Sequence, residues 1–385
     1  MANHRAVGSI RSGAILTGDG WVDGTITIEA HSIASISDGS PTTDSAYNAT
    51  GLLVLPGLID LQVNGGWGID LSQAPDALWK LSQRMPEVGV TAWLPTLISS
   101  EEADRNGALA ALSQPVDGGA VPLGWHFEGP WISPRRPGAH DQSLIAPVPA
   151  SLPAKHRRNG GLALVTLAPE LPGAIDLISE LTAAGVVVSC GHTDASAETV
   201  RLAIEAGATM GTHLFNAMSG LHHRNPGTAG ELLHGDAFFG LIVDGIHVVP
   251  EIVELAWRLG SDRCVLVSDS MAGLGLEAGS SILGKSNVVL DGTSARLSDG
   301  TLAGSVISLR DAVRNLVAFT GCTLAEAVAA ATARPAAVLG DQTRGVIAKG
   351  MRADFAIVDD NLNVVATVVG GDVVFASHDG AARMS

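Results

Sequence analysis

The feature that most limits how this chain can fold is a recurrence. Eight short apolar runs stand near residues 53–61, 91–98, 123–127, 162–167, 186–190, 208–212, 239–243 and 264–268, each of strand length. Most of the intervals between them carry helical periodicity, as in Asp76–Val88, Ser100–Leu112, Ser196–Ala206 and Pro250–Leu259. Runs that are apolar throughout suit strands covered on both faces. Eight of them alternating with helices predict an α/β protein built on a parallel (β/α)8 barrel.

Chemistry-capable residues follow the runs directly. Glu128 follows Leu123–Phe127, Gly191-His192-Thr193 follows Val186–Cys190, and His213 follows Ala208–Thr212. Asp244-Gly245-Ile246-His247 follows Phe239–Val243, and Asp269 follows Cys264–Ser268. Side chains at the C-terminal ends of barrel strands converge on one mouth, where such barrels place their active sites. Glu128, His192 and His213 make a three-ligand set that leaves a position open for water, the pattern of a hydrolytic metal centre. Asp269 at the last strand is then the expected general base. Each residue also has a plainer reading: a lone histidine near a strand end is commonly scaffold, and an aspartate there caps a helix well. Their shared placement favours the metal centre.

Outside the barrel the pattern changes. Ala6–Thr17, Gly24–Glu29 and Ser32–Ser37 read as strands, as do Arg344–Ile347, Ala353–Val358, Val364–Val369 and Val373–Phe375. Both ends are therefore expected to build one small β-sandwich, residues 1–53 with 343–385, around a catalytic barrel of 54–342. Ser286–Leu302, with Asp-Gly turns at 291 and 299, reads as a β insertion, and 306–340 as helices.

Composition excludes several classes. A net charge of -16 argues against nucleic-acid binding. No apolar stretch reaches membrane-spanning length, and Met1–Arg5 lead into a strand pattern with no secretory segment, so a cytoplasmic protein is expected. The three cysteines, Cys190, Cys264 and Cys322, form no C-x-x-C pair and imply no disulfide framework. Gly279-Ser-Ser-Ile-Leu-Gly284-Lys285-Ser286 fits a P-loop, but strand-like residues follow where a helix is required. Gly273-Leu-Gly275-Leu-Glu-Ala278 mimics a dinucleotide fingerprint without a βαβ unit around it.

Segments running in order through nearly the whole chain carry a resemblance. They are Pro56-Gly-Leu-Ile-Asp-Leu-Gln62-Val-Asn64-Gly-Gly, His126-Phe-Glu128-Gly-Pro, Gly138-Ala-His140, Thr166-Leu-Ala-Pro-Glu170, Gly191-His192-Thr193, Thr212-His213-Leu-Phe-Asn216-Ala217-Met218, Arg224-Asn-Pro-Gly, Asp244-Gly-Ile-His247, Ser268-Asp269 and Leu302-Ala303-Gly304-Ser305. The chain resembles the N-acetylglucosamine-6-phosphate deacetylases of the amidohydrolase superfamily. That resemblance implies Glu128, His192 and His213 as metal ligands and Asp269 as catalytic acid/base. It implies His140, with Ala139, as the contact near the scissile amide. It places Asn216, Ala217, Arg224 and His247 on the sugar phosphate, with Asp244 beside them, and Leu302, Ala303 and Gly304 along the sugar. It also implies a homodimer, with Arg224 entering a neighbouring subunit's site.

One departure bears on the cofactor. Superfamily members commonly carry His-x-His at the first strand, where this chain has Gln62-Val63-Asn64. Carboxamides are weak ligands beside imidazoles, and no lysine follows the fourth run. The expectation is one divalent metal per chain, zinc first, with iron, manganese or cobalt as alternatives, and Gln62 and Asn64 adjacent to the metal or its water. Three other readings are a galactosamine-isomer deacetylase, a cyclic amidohydrolase of the dihydroorotase type, and an inactive relative. The missing His-x-His and lysine count against the second, and the intact set Glu128, His192, His213 and Asp269 against the third.

Overall fold

The computed structural model describes residues 5–384 apart from 39–44, 114, 116, 117, 152 and 154. The reading of Met1–His4 falls outside the described residues. Eight strands make the barrel: β1 (Leu58–Val63), β2 (Val90–Leu97), β3 (Trp125–Glu128), β4 (Leu162–Leu167), β5 (Val187–Cys190), β6 (Met210–Gly211), β7 (Phe238–Leu241) and β8 (Cys264–Leu266). Neighbours pair in parallel in chain order. Between β8 and β1 the described residues form a seam, not a ladder. A single bridge joins Val63 to Ser270, and the Asp60 carboxylate accepts the N–H groups of Gln62 and Ser268, each at 3.2 Å. Burial pushes that carboxyl up to about 7, against the hydrogen bonds it accepts.

Every residue of β1, β2 and β4 is buried, as expected for strands with helices outside and side chains within. Trp93, Trp125, Val165, Leu167, Val188, Leu241 and Leu266 share one apolar cluster with the surrounding helices. Alternate positions, Leu94, Leu164, Met210 and Val265, join Ile59 and Leu61 in a second cluster that fills the barrel. Above this inner layer lies a polar one. A carbonyl can only accept, so His126 donates Nδ1–H to Leu61 O (3.1 Å) and accepts at Nε2 from the Thr166 hydroxyl (2.8 Å). Thr166, Thr212 and Ser189 continue the chain at 2.7 and 2.6 Å.

Helices Leu78–Arg84, Glu102–Ala111, Ala174–Ala183, Ala197–Glu205, Gly227–His234, Pro250–Gly260 and Leu309–Thr320 follow every strand but β3. The β3–β4 connection has only short 3-10 turns among its described residues, and its backbone is free to lie across the barrel mouth.

Strands from both ends form one nine-stranded sheet with its own core, including Ile10, Ile26, Tyr47, Val54, Phe355 and Val368. The structure corrects three element assignments. The first apolar run is two strands. Leu53–Pro56 pairs with Phe355–Val358 in the terminal sheet, so the chain enters the barrel at Gly57, not after residue 53. Gly57 is required there, since a Cβ would lie 2.1 Å from Thr91 Oγ1. Arg344–Ile347 is no strand: Arg344 is drawn into ion pairs with Asp341 and Asp354, and Ile347 makes one isolated bridge to Thr17. The insertion starts earlier than expected, as a three-stranded antiparallel sheet of Gly279–Leu283, Ser286–Leu290 and Ala295–Arg296. Its first strand opens on the exposed Gly279 and Ser280 and buries only Leu283, which hid it from an apolar pattern. The P-loop lookalike is this hairpin, with Gly284 at its turn.

Candidate active site

Glu128 ends β3, and His192, His213 and Asp269 lie just beyond β5, β6 and β8. The last three have left-handed backbones, with φ of 48°, 30° and 48°. Such φ values cost residues with a Cβ about 1–3 kcal/mol each and persist only where surroundings enforce them. Here they turn each side chain back over the mouth. Gly191 permits the approach of β5, since a Cβ there would lie 2.7 Å from Thr212 Cβ.

The three expected ligands meet at their tips. His192 Nε2 and His213 Nε2 lie 3.1 and 3.0 Å from Glu128 Oε1 and 3.1 Å from each other. His192 Nδ1 sits 3.0 Å from Arg136 O, so Nδ1 carries the proton and Nε2 presents a lone pair. A tetrahedral cation with bonds of about 2.0–2.1 Å holds its ligand atoms about 3.3 Å apart, close to this spacing. The donor set is two nitrogens and a carboxylate oxygen, which fits a divalent metal of the zinc type. His140 lies farther off, Nε2 at 3.7 Å from Glu128 Oε2, although Glu128, His140 and His192 also offer atoms within 4.8 Å of one another. Burial works against ionised Glu128, but the facing imidazoles of His140, His192 and His213 outweigh it and hold the carboxyl well below its ordinary range. Burial, and then the nearby Glu128 charge, raise Asp269 to about 6.

Gln62 and Asn64 use their amide N–H groups as donors, to Glu128 Oε1 at 3.0 Å and Asp269 Oδ1 at 2.8 Å. They orient the two carboxylates. Asn64 Oδ1 stays buried without a partner among the described residues. The cavity over these groups holds about 330 Å³ and is lined further by Ala139, His140, Asn216, Ala217, His247, Leu302 and Gly304. Three expected substrate residues lie elsewhere. Ala303 is buried in an apolar cluster with Met271 and Leu290. Asp244 spends its carboxylate on His247, at 2.7 Å from Nδ1 and 2.8 Å from the backbone N–H groups of Ile246 and His247, and so positions that imidazole. Arg224 is exposed on the loop beyond β6 and does not line the cavity of its own chain.

Sequence reasoning missed the cations that do line it. Arg135 and Arg136 share one carboxylate, Asp194, at 3.0 and 2.7 Å. Adjacent arginines in so acidic a chain were the available signal. It also missed Ser99 behind His140 and Asp60 at the seam.

An amidohydrolase family model matches residues 53–374. The chain belongs to the amidohydrolase family. Over 95% of its length and 93% of the relative's, it is 36% identical to the N-acetylglucosamine-6-phosphate deacetylase of Bos taurus. It is 35% identical to an N-acetylgalactosamine-6-phosphate deacetylase of Escherichia coli O157:H7, over 92% and 96% of the two chains. Its fold superposes with a TM-score of 0.86 on a mutant of the Mycobacterium smegmatis N-acetyl-D-glucosamine-6-phosphate deacetylase, solved with N-acetyl-D-glucosamine-6-phosphate. There the identity is 32%, with 97% and 100% of the two chains covered. These amidohydrolase structures and the eight-stranded parallel sheet agree with the expected barrel.

Proposed function

We propose that this amidohydrolase removes the acetyl group of N-acetyl-D-glucosamine 6-phosphate, giving D-glucosamine 6-phosphate and acetate. The observation that carries the reading is the triangle of Glu128, His192 and His213 facing Asp269 and His140 across one cavity. Measuring acetate release from the purified protein tests it, and no release with the sugar phosphate and added divalent metal would refute it.

Glu128, His192 and His213 would hold one divalent cation, zinc before iron, manganese or cobalt. When bound, such an ion acidifies water and polarises a carbonyl. Asp269, ionised and aimed by Asn64, takes the proton of the attacking water and later returns it to the departing nitrogen. His140 donates to the carbonyl oxygen as that atom gains charge. Asn216, Ala217 and His247 hold the sugar phosphate, with Leu302 and Gly304 along the ring. Arg224 reaches the phosphate of a second copy's site in a homodimer, which suits its exposure and the neighbouring exposed Leu221. We further propose a cytoplasmic location, a terminal sheet folded as a sandwich, and a small β domain of the two ends joined to the barrel at Gly57. No helix among the described residues is long and apolar enough to cross a membrane. The E. coli relative favours one second reading, the galactosamine epimer. Side-by-side turnover of the two 6-phosphates decides between them.

A further inference from the structure

We infer that Ser99 is a positioning residue that fixes His140 as its Nε2–H tautomer and so makes it a hydrogen-bond donor, never a metal ligand. The inference rests on the deacetylase reading for what His140 donates to, but not for the tautomer itself.

His140 Nδ1 lies 3.3 Å from the backbone nitrogen of Ser99, whose N–H points at it, and 2.8 Å from Ser99 Oγ. A hydroxyl gives or accepts, but a backbone N–H only gives. Were Nδ1 protonated, two N–H groups would face each other inside a buried site. Nδ1 is therefore the acceptor, and a neutral ring must carry its proton on Nε2. Nε2 is the atom that faces Glu128 and the cavity. His192 shows the opposite arrangement: its Nδ1 meets Arg136 O, a pure acceptor, which leaves Nε2 bare. Two imidazoles whose ring centroids are only 4.4 Å apart are thus set in opposite tautomers by one backbone donor and one backbone acceptor. The pair sorts them into a ligand, His192, and a donor, His140.

The surroundings hold Ser99 to this task. It is 3% exposed and sits just past the end of β2, so the barrel fixes its backbone. Gly129, at φ +84°, leaves room for its hydroxyl: a Cβ there would lie 2.5 Å from Ser99 Oγ. The glycine next to Glu128 thereby lets Ser99 stand behind His140 while Glu128 stands beside it.

Long-range proton–nitrogen NMR on uniformly 15N-labelled, zinc-loaded protein reads the tautomer directly, with His140→Gln assigning the ring. Expected is a pyridine-type Nδ1 and a pyrrole-type Nε2 for His140, and the reverse protonation for His192. Ser99→Ala keeps the backbone N–H and loses the hydroxyl bond, so the tautomer should persist while the His140 nitrogen shifts move, and kcat for acetate release should fall roughly ten-fold, the low end for lost orienting partners. KM and metal content should stay near those of the parent. His140→Gln, whose amide donor stands in for Nε2–H, should keep its metal. A pyrrole-type Nδ1 in the parent, loss of metal in His140→Gln, or a Ser99→Ala protein unchanged in both shifts and kcat would each overturn the inference. Absence of any deacetylation would leave the NMR result standing and would refute only the proposed reaction.

Discussion

At Asp269, burial and a neighbouring carboxylate both oppose charge, yet a base must be ionised to work. With its carboxyl raised to about 6, turnover should fall along a one-proton limb below that pH, and a bound cation moves the limb to lower pH, never higher. Asp269→Asn should keep metal and fold while losing on the order of 10² to 10⁴ in kcat. Near-normal turnover in a loaded Asn variant would contradict the role. Asp60 carries a different sign. Its folded value of about 7 is raised above the ordinary 3.8, so the folded state holds the proton more tightly. The stability this gives is complete below the ordinary value and lost as pH rises through about 7. Melting temperature should therefore carry a downward contribution between about pH 4 and pH 7, absent in Asp60→Asn. Glu128, His192, His213 and Asp269 were legible because each closes an apolar run. Ser99 obeys the same rule, just past the run at 91–98, but an uncharged hydroxyl gives no chemical flag. His140 lies on the irregular β3–β4 connection, where no periodicity points to it and only resemblance did.

Among the elements, strand ends are where glycine has a mechanical task. Gly191→Ala would drive a Cβ to 2.7 Å from Thr212 Cβ and 2.8 Å from Thr166 Cγ2, on two neighbouring segments of the polar layer. The expected cost is about 1–3 kcal/mol, read as a lower melting temperature, together with weaker metal binding as His192 is displaced. Gly107→Ala is the control. It lies within Glu102–Ala111 with nothing within 4 Å, and should be neutral or stabilising by up to ~1 kcal/mol. Strand existence was readable because parallel strands are apolar on both faces. Strand limits were not: the run at 53–61 shows no change of polarity where the chain leaves one sheet for another. Only the backbone's close approach to Thr91 at Gly57 marks the passage. The first strand of the insertion was invisible for the opposite reason, since Leu283 is its one buried residue and a single residue writes no pattern.

For the whole molecule, the exposed Arg224, which does not line the cavity of its own chain, makes assembly testable by complementation. Asp269→Asn and Arg224→Ala chains, each inactive alone, are mixed through a cycle of dissociation. If Arg224 serves the partner's site, half the dimers are mixed and each carries one intact centre, so about a quarter of parent activity returns. If it serves its own chain, nothing returns. The sheet built from both ends has a further consequence, for the order of events on the ribosome. Leu53–Pro56 has Ser9–Thr17 on one side and Phe355–Val358 on the other. Its second neighbour does not exist until the entire barrel has been translated. Throughout that interval the nascent chain carries an open strand edge beside its first barrel strand, the kind of surface to which other strands add. That edge closes only once Phe355–Val358 has been made, and until then the growing protein depends on whatever shields it.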